Sequence, residues 1–172
     1  MKTLYLIRHA KSSWQDEKLS DHDRTLNDRG YGDAAMMAER LKVANKLIDV
    51  CYTSTAVRAK ETANIFHKTF QLSANCYFEN NDLYLADVDR LYEVVSGLSD
   101  EFSSAALFAH NPGITSFVNT LTDIHIDNMP TCAVFGVEIS DDNWLSFRTA
   151  TKAFLFFTFP KTNDIIYRQD VT

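Results

Sequence analysis

Residues 2–10, KTLYLIRHA, decide how the rest of the chain is read. Leu4, Tyr5, Leu6 and Ile7 form an apolar run rich in strand formers and too short for a globular helix, and it stops abruptly at the adjacent pair Arg8-His9. A cation and an imidazole at the carboxyl end of a buried strand stand where open α/β sheets place their sites. Two readings are open on this stretch alone. In one, Arg8 solvates a strand end and His9 packs in the core; in the other, the pair carries chemistry.

Downstream, strand and helix patterns alternate. A polar loop at 11–24 surrounds Trp14, which is either a lid contact or a core anchor. Thr25 or Asn27 can cap a helix over 27–44, with Asp28 in its first turn. A strand at 47–52 leads into a helix over 56–70, packed through Ala56, Ala59, Ala63, Ile65 and Phe66. A short strand at 76–79, a turn at 80–82, a helix over 87–98 capped by Asp87, a buried strand at 104–109 and a helix over 113–121 follow. This alternation predicts an α/β protein built as a three-layer sandwich. The last third reads as strands at 131–139, 144–150 and 153–159, so the central sheet should be mixed, mostly parallel and flanked by helices. Residues 167–172 are expected to fray.

A chain of 172 residues fits a single domain with its own core. The net charge of −6 argues against a generic nucleic-acid or anionic membrane surface, although it leaves room for a local cationic pocket. Cys51, Cys76 and Cys132 are widely spaced and odd in number, which fits reduced thiols in a cytoplasmic protein better than a disulfide framework or zinc. No signal-peptide pattern and no run of 18 apolar residues is present, so no membrane association is expected.

A second buried strand, SAALFA, ends in His110, and Arg58 falls in the first turn of its helix. Arginine there opposes the helix dipole, which suggests a counter-anion; pairing with Glu61 is the plainer alternative. Two arginines match the oxygens of a phosphoryl group, one imidazole can attack phosphorus in line, and a second, if protonated, can stabilise the equatorial oxygens. The cationic side chains supply the neutralising charge, so no cofactor or metal is expected.

Leu6-Ile7-Arg8-His9-Ala10 resembles the Arg-His-Gly signature of the histidine phosphatase, or phosphoglycerate mutase-like, superfamily, with alanine in the glycine place as in its short SixA-like branch. Asp23-Arg24-Thr25-Leu26 with Arg29-Gly30, Thr53-Ser54 through Arg58-Ala59 and Glu61-Thr62, and Ala109-His110-Asn111-Pro112 match the same branch in order. The resemblance implies that His9 is the phosphorylated nucleophile and that Arg8, Arg58 and His110 complete the phosphate pocket, with Ser54 and Asn111 orienting them. Lys11, Ser12 and Ser13 are read as a solvated loop in preference to donors at the pocket wall. Ala10 cannot take glycine-only backbone shapes, so its turn should have negative φ.

Many relatives place a proton donor after the third strand. Here Glu79, Asp82 and Asp87 are available, but turns or caps account for each, and no general acid is assigned. Connections between elements read as short, with no large cap insertion, which leaves an open pocket suited to a phosphorylated side chain on another protein. The expected activity is a phosphohydrolase acting on protein phosphohistidine. The alternatives are a small phosphate ester as substrate or a non-catalytic phosphate-binding module; a mutase would need a more closed site.

Overall fold

A computed structural model describes residues 1–167, so the fraying expected beyond Tyr167 lies outside the described residues. Strand β1 (Lys2–Arg8) contains the opening run. Its alternation sends Leu4 and Leu6 to one face of the sheet and Tyr5 and Ile7 to the other, each into its own apolar core. Burial on both faces is what a central strand of an α/β sheet requires, and it explains a continuous rather than alternating apolar run.

Helices α1 (Asp28–Val43) and α2 (Val57–Thr69) cover one face. Their buried residues, Ala34, Met37, Ala38 and Leu41 on α1 and Ala59, Thr62, Ala63 and Phe66 on α2, recur at helical spacing. Helices α3 (Val88–Ser96) and α4 (Gly113–Val118) cover the other through Leu91, Tyr92, Val95, Ile114, Phe117 and Val118. Asn27 caps α1 by accepting from Gly30 N at 2.8 Å, and Asp87 caps α3 by accepting from Arg90 N at 2.9 Å.

The remaining strands are β2 (Val50–Thr53), β3 (Tyr77–Glu79), β4 (Ser104–Ala109), β5 (Val134–Ile139) and β6 (Lys152–Thr158). They form one sheet in the order β3-β2-β4-β1-β5-β6. The links from β3 through β2 and β4 to β1 are parallel, and β5 and β6 add antiparallel partners. The three-layer α/β sandwich with a mixed, mostly parallel sheet is thus the observed architecture. No helix among the described residues is long and apolar enough to cross a membrane.

Several expectations need correction. Residues 144–150 do not form a strand. Trp144–Ser146 is a 3-10 turn in which Asn143 accepts from Leu145 N, Trp144 is buried, and Ser146 and Thr149 hydroxyls bond back to backbone carbonyls. The second strand starts at Val50 rather than Leu47, because Asn45 turns the chain through φ 54 and leaves Leu47 exposed. The connections are not uniformly short: the segment from Arg8 to Asp28 folds back over the sheet end, where Ser13 N donates to Thr25 O and Asn27 N to Lys11 O. Ala10 is absent from the positive-φ residues, as expected. The three cysteines are free thiols.

Candidate active site

Strands β2, β4 and β1 are adjacent and parallel, so their carboxyl ends lie side by side. The ladder continues one residue past each end, with Ser54 N donating to Phe108 O at 3.0 Å and His9 N to Ala109 O at 3.2 Å. This register sets His110 between Ser54 and His9, with the two imidazole centroids 5.0 Å apart. Arg58 reaches them from the first turn of α2 and is itself buried.

The hydrogen bonds assign both tautomers. His9 Nδ1 lies 2.8 Å from Ala10 O; a carbonyl only accepts, so Nδ1 carries the proton and Nε2 keeps its lone pair. Arg58 Nε–H donates to that Nε2 at 3.2 Å. On His110, Nδ1 accepts from Arg58 Nη2 at 3.3 Å and Nε2–H donates to Ser54 Oγ at 2.7 Å. Burial, with the charges of Arg58, Arg8 and Arg24, pulls His9 down to about 3, although the Ala10 hydrogen bond opposes the shift. Burial, the neighbouring His9 and Arg58 likewise hold His110 far below the ordinary imidazole value. Both rings are neutral near pH 7. Protonating His110 would need a counter-charge, which a phosphoryl group beside Arg58 would bring.

Arg8 donates through Nη1 to Met129 O at 2.7 Å, and its buried Nε has no hydrogen-bond partner. Burial and the nearby Arg58 charge lower its pKa. Asn111 holds the loop that receives Arg8: its Nδ2 donates to Asn128 Oδ1 at 2.6 Å and to Met129 O at 3.2 Å, while its Oδ1 accepts from Thr115 Oγ1 at 2.7 Å. Arg8, His9, Arg58, His110 and Asn111 all line one cavity of about 340 Å³. Ser54 sits behind it, fully buried, as the partner of His110.

The three carboxylates that follow the third strand are elsewhere. Glu79 pairs with Lys60 at 3.4 Å, Asp82 lies in a 3-10 turn, and Asp87 caps α3. None lines the cavity. The carboxylate that does is Asp21, from the loop after β1. It accepts from Arg58 Nη2 at 2.9 Å, Arg24 Nη1 at 2.9 Å and Tyr84 Oη at 2.9 Å, and its backbone carbonyl accepts from Arg58 Nη1. Arg58 therefore pairs with Asp21, and Glu61 instead accepts from Leu26 N and Tyr31 Oη. Burial works to raise the Asp21 carboxyl, but hydrogen bonds from Tyr84 and Arg58 and the charges of Arg58 and Arg24 hold it below the usual carboxylate range.

Sequence reasoning gave Asp21 and Arg24 no role, although Arg24 lay inside a recognised motif. Arg24 donates to Ser12 Oγ and Ser13 O, so the expected solvated loop is a packed wall in which Ser12 is buried. Trp14 is not a core anchor: it lies on the cavity wall, 72% exposed, with the Arg24 guanidinium 3.4 Å from its ring centroid.

Three features hold the ends of the constellation in place. Thr62 Oγ1 accepts from Ala10 N at 3.0 Å and donates to Arg58 O at 2.7 Å, linking the residue after His9 to the turn that carries Arg58. Cys132, at φ 60, points its backbone N–H at both Arg8 O (3.0 Å) and His9 O (3.1 Å). Gly30 lies so close to the loop that a Cβ there would sit 2.1 Å from Lys11 O.

The model of the histidine phosphatase superfamily (branch 1) matches residues 4–79. An uncharacterised protein of Mycobacterium leprae (strain TN) is 32% identical over 125 residues, which cover 71% of this chain and 74% of that protein. Among solved structures, the protein histidine phosphatase SixA complexed with tungstate has a TM-score of 0.77 at 20% identity, covering 92% of this chain and 97% of that one. A mycobacterial glucosyl-3-phosphoglycerate phosphatase complexed with VO3 has a TM-score of 0.68 at 15% identity, covering 90% and 97%. At these identities the structural likenesses speak to the fold.

Proposed function

The chain belongs to the histidine phosphatase superfamily, and from that premise we propose that it is a metal-independent phosphohydrolase that removes phosphate from phosphohistidine on a protein through a phosphohistidine intermediate at His9. The observation that carries the reading is the His9 tautomer: Nδ1–H is committed to Ala10 O, and the unprotonated Nε2 faces the cavity's arginine. A neutral imidazole with Nε2 unprotonated is the form that attacks phosphorus, once the Arg58 Nε–H that it accepts turns to the phosphoryl oxygens.

In the first step His9 Nε2 forms a bond to phosphorus as the bond from phosphorus to the substrate's imidazole nitrogen breaks, and that nitrogen takes up a proton from solvent water. Arg8 and Arg58 bind the equatorial oxygens, where charge accumulates in the transition state. In the second step water attacks phosphorus, the bond to His9 Nε2 breaks and inorganic phosphate leaves. His110 stands beside the transferring group, and Ser54 keeps its ring in register.

The leaving group follows from the carboxylates. Among the described carboxylates only Asp21 lines the cavity, and its partners favour the ionised form, which suits anchoring Arg58 and does not suit giving a proton to an alkoxide. An imidazole leaving group has a near-neutral conjugate acid and needs far less help. A small phosphate ester is the second reading, supported by the fold likeness to a glucosyl-3-phosphoglycerate phosphatase. We take residues 1–172 as a single unit without a large cap, which accords with either. The deciding experiment compares kcat/KM for a histidine-phosphorylated protein with a panel of small phosphate esters and traps the acid-labile phosphoenzyme. The reading requires the phosphoprotein to be preferred and His9→Ala to lose both turnover and label. A preference for esters, or label retained in His9→Ala, overturns it.

A further inference from the structure

The cavity's rim carries two exposed apolar side chains that the phosphate chemistry does not use. Leu85 is 57% exposed and sits at φ 51, a backbone shape that a leucine adopts only at an energetic cost. Burial does not offset that cost, and exposed strain of this kind clusters at functional sites. Its neighbours are fixed: Tyr84 Oη donates to Asp21, and Ala86 O lies where a Cβ on Gly113 would come within 1.8 Å. Leu85 is thus displayed on an anchored backbone.

Trp14 is similarly exposed and similarly held. One face of its ring is covered by Arg24, which is tied in turn to Asp21 and Ser13 O. A pre-positioned tryptophan loses little freedom on contact with a partner, which is why this residue type dominates interface energetics. Beyond it lies an adjoining cleft of about 320 Å³ that shares Trp14, Asp21 and Arg24 with the phosphate cavity and adds Asp16, Glu17 and Leu19. A phosphoryl group and its imidazole would lie in the cationic cavity, and the adjoining cleft, which shares three lining residues with it, offers room for what is attached to them.

We propose that Trp14 and Leu85 are specificity-determining jaws of an extended substrate site, which seats the polypeptide flanking the phosphohistidine, with an apolar side chain against Trp14 and Leu19. This rests on the protein-phosphohistidine reading above. The acidic Asp16 and Glu17 favour a basic residue beside that apolar one.

The test measures kcat/KM for wild type, Trp14→Ala and Leu85→Gly on two substrates, a histidine-phosphorylated protein and phosphoramidate, which is too small to reach the jaws. Each substitution should lower the phosphoprotein value about tenfold or more, mainly through KM, and by at least about tenfold more than the phosphoramidate value. Leu85→Gly should melt no lower than wild type, because glycine accepts the positive φ. Equal losses on the two substrates, or undiminished phosphoprotein turnover in both variants, overturns the jaws and leaves the activity standing. A wild-type enzyme that hydrolyses phosphoramidate but not the phosphoprotein overturns the substrate reading as well.

Discussion

Moderate acid should destabilise this protein through the same burial that activates it. His9 and His110 are nearly inaccessible, and both are held neutral well below the ordinary imidazole pKa of 6.5. On unfolding, both regain the ordinary value and bind protons that the native site refuses. The unfolded state therefore carries more protons wherever the pH lies between the native and ordinary values. The stabilisation is complete above the ordinary value and is lost as pH falls below it. Between about pH 7 and about pH 5 each histidine costs about 2 kcal/mol, or about 4 kcal/mol for the pair, as long as both native values stay below that range. Urea unfolding at the two pH values gives the difference directly. A His9→Gln/His110→Gln double variant should lose most of it, which separates these groups from every other titrating side chain. Wild-type stability that changes by less than about 1 kcal/mol over this interval, or a double variant that keeps the full change, would refute the buried neutral pair.

His9→Ala should abolish turnover while leaving the urea midpoint near that of wild type, as activity and unfolding curves on one preparation will show. Cys132→Val should cost about 1–2 kcal/mol, because a β-branched residue resists φ 60, and kcat should fall as the clamp on Arg8 O and His9 O loosens; Cys132→Gly should spare both in the same thermal melts and assays. Gly30→Ala drives a methyl into Lys11 O and should lower Tm and kcat together, since the displaced loop carries Ser12 and Arg24. Thr62→Val leaves Ala10 N–H buried without an acceptor and should cost about 1–3 kcal/mol in denaturant unfolding.

What could be read from the sequence was whatever short-range pattern dictates. Arg8-His9 and His110 each close an apolar run, and Arg58 follows a strand by a few residues, so the central constellation was visible before any coordinates. Asn27 and Asp87 were legible as caps because a cap acts within one helical turn. Asp21 was not, since its role depends on a loop folding back to meet Arg58, Arg24 and Tyr84, and no local pattern encodes that meeting. Trp14 stayed undecided for the same reason: its partner, Arg24, lies within a loop whose path the sequence does not set. Residues 144–150 carry bulky apolar residues that read as strand-like, yet side-chain oxygens compete for the backbone and Trp144 anchors a tight turn, so local hydrogen bonding overrode that reading.

The hydrogen bonds that build the constellation join positions far apart along the chain: 49 residues between Arg58 and His9, 56 between His110 and Ser54, and 121 between Arg8 and Met129. Contacts of such high sequence separation form slowly, because each must close a long loop before it is rewarded. A nascent chain or partly folded species that has paired only its local helices and hairpins has not brought His9, Arg58 and His110 into register. Assembly of the site is consequently expected to be a late event of folding, so the recovery of turnover after dilution from denaturant should report the closure of its longest loops.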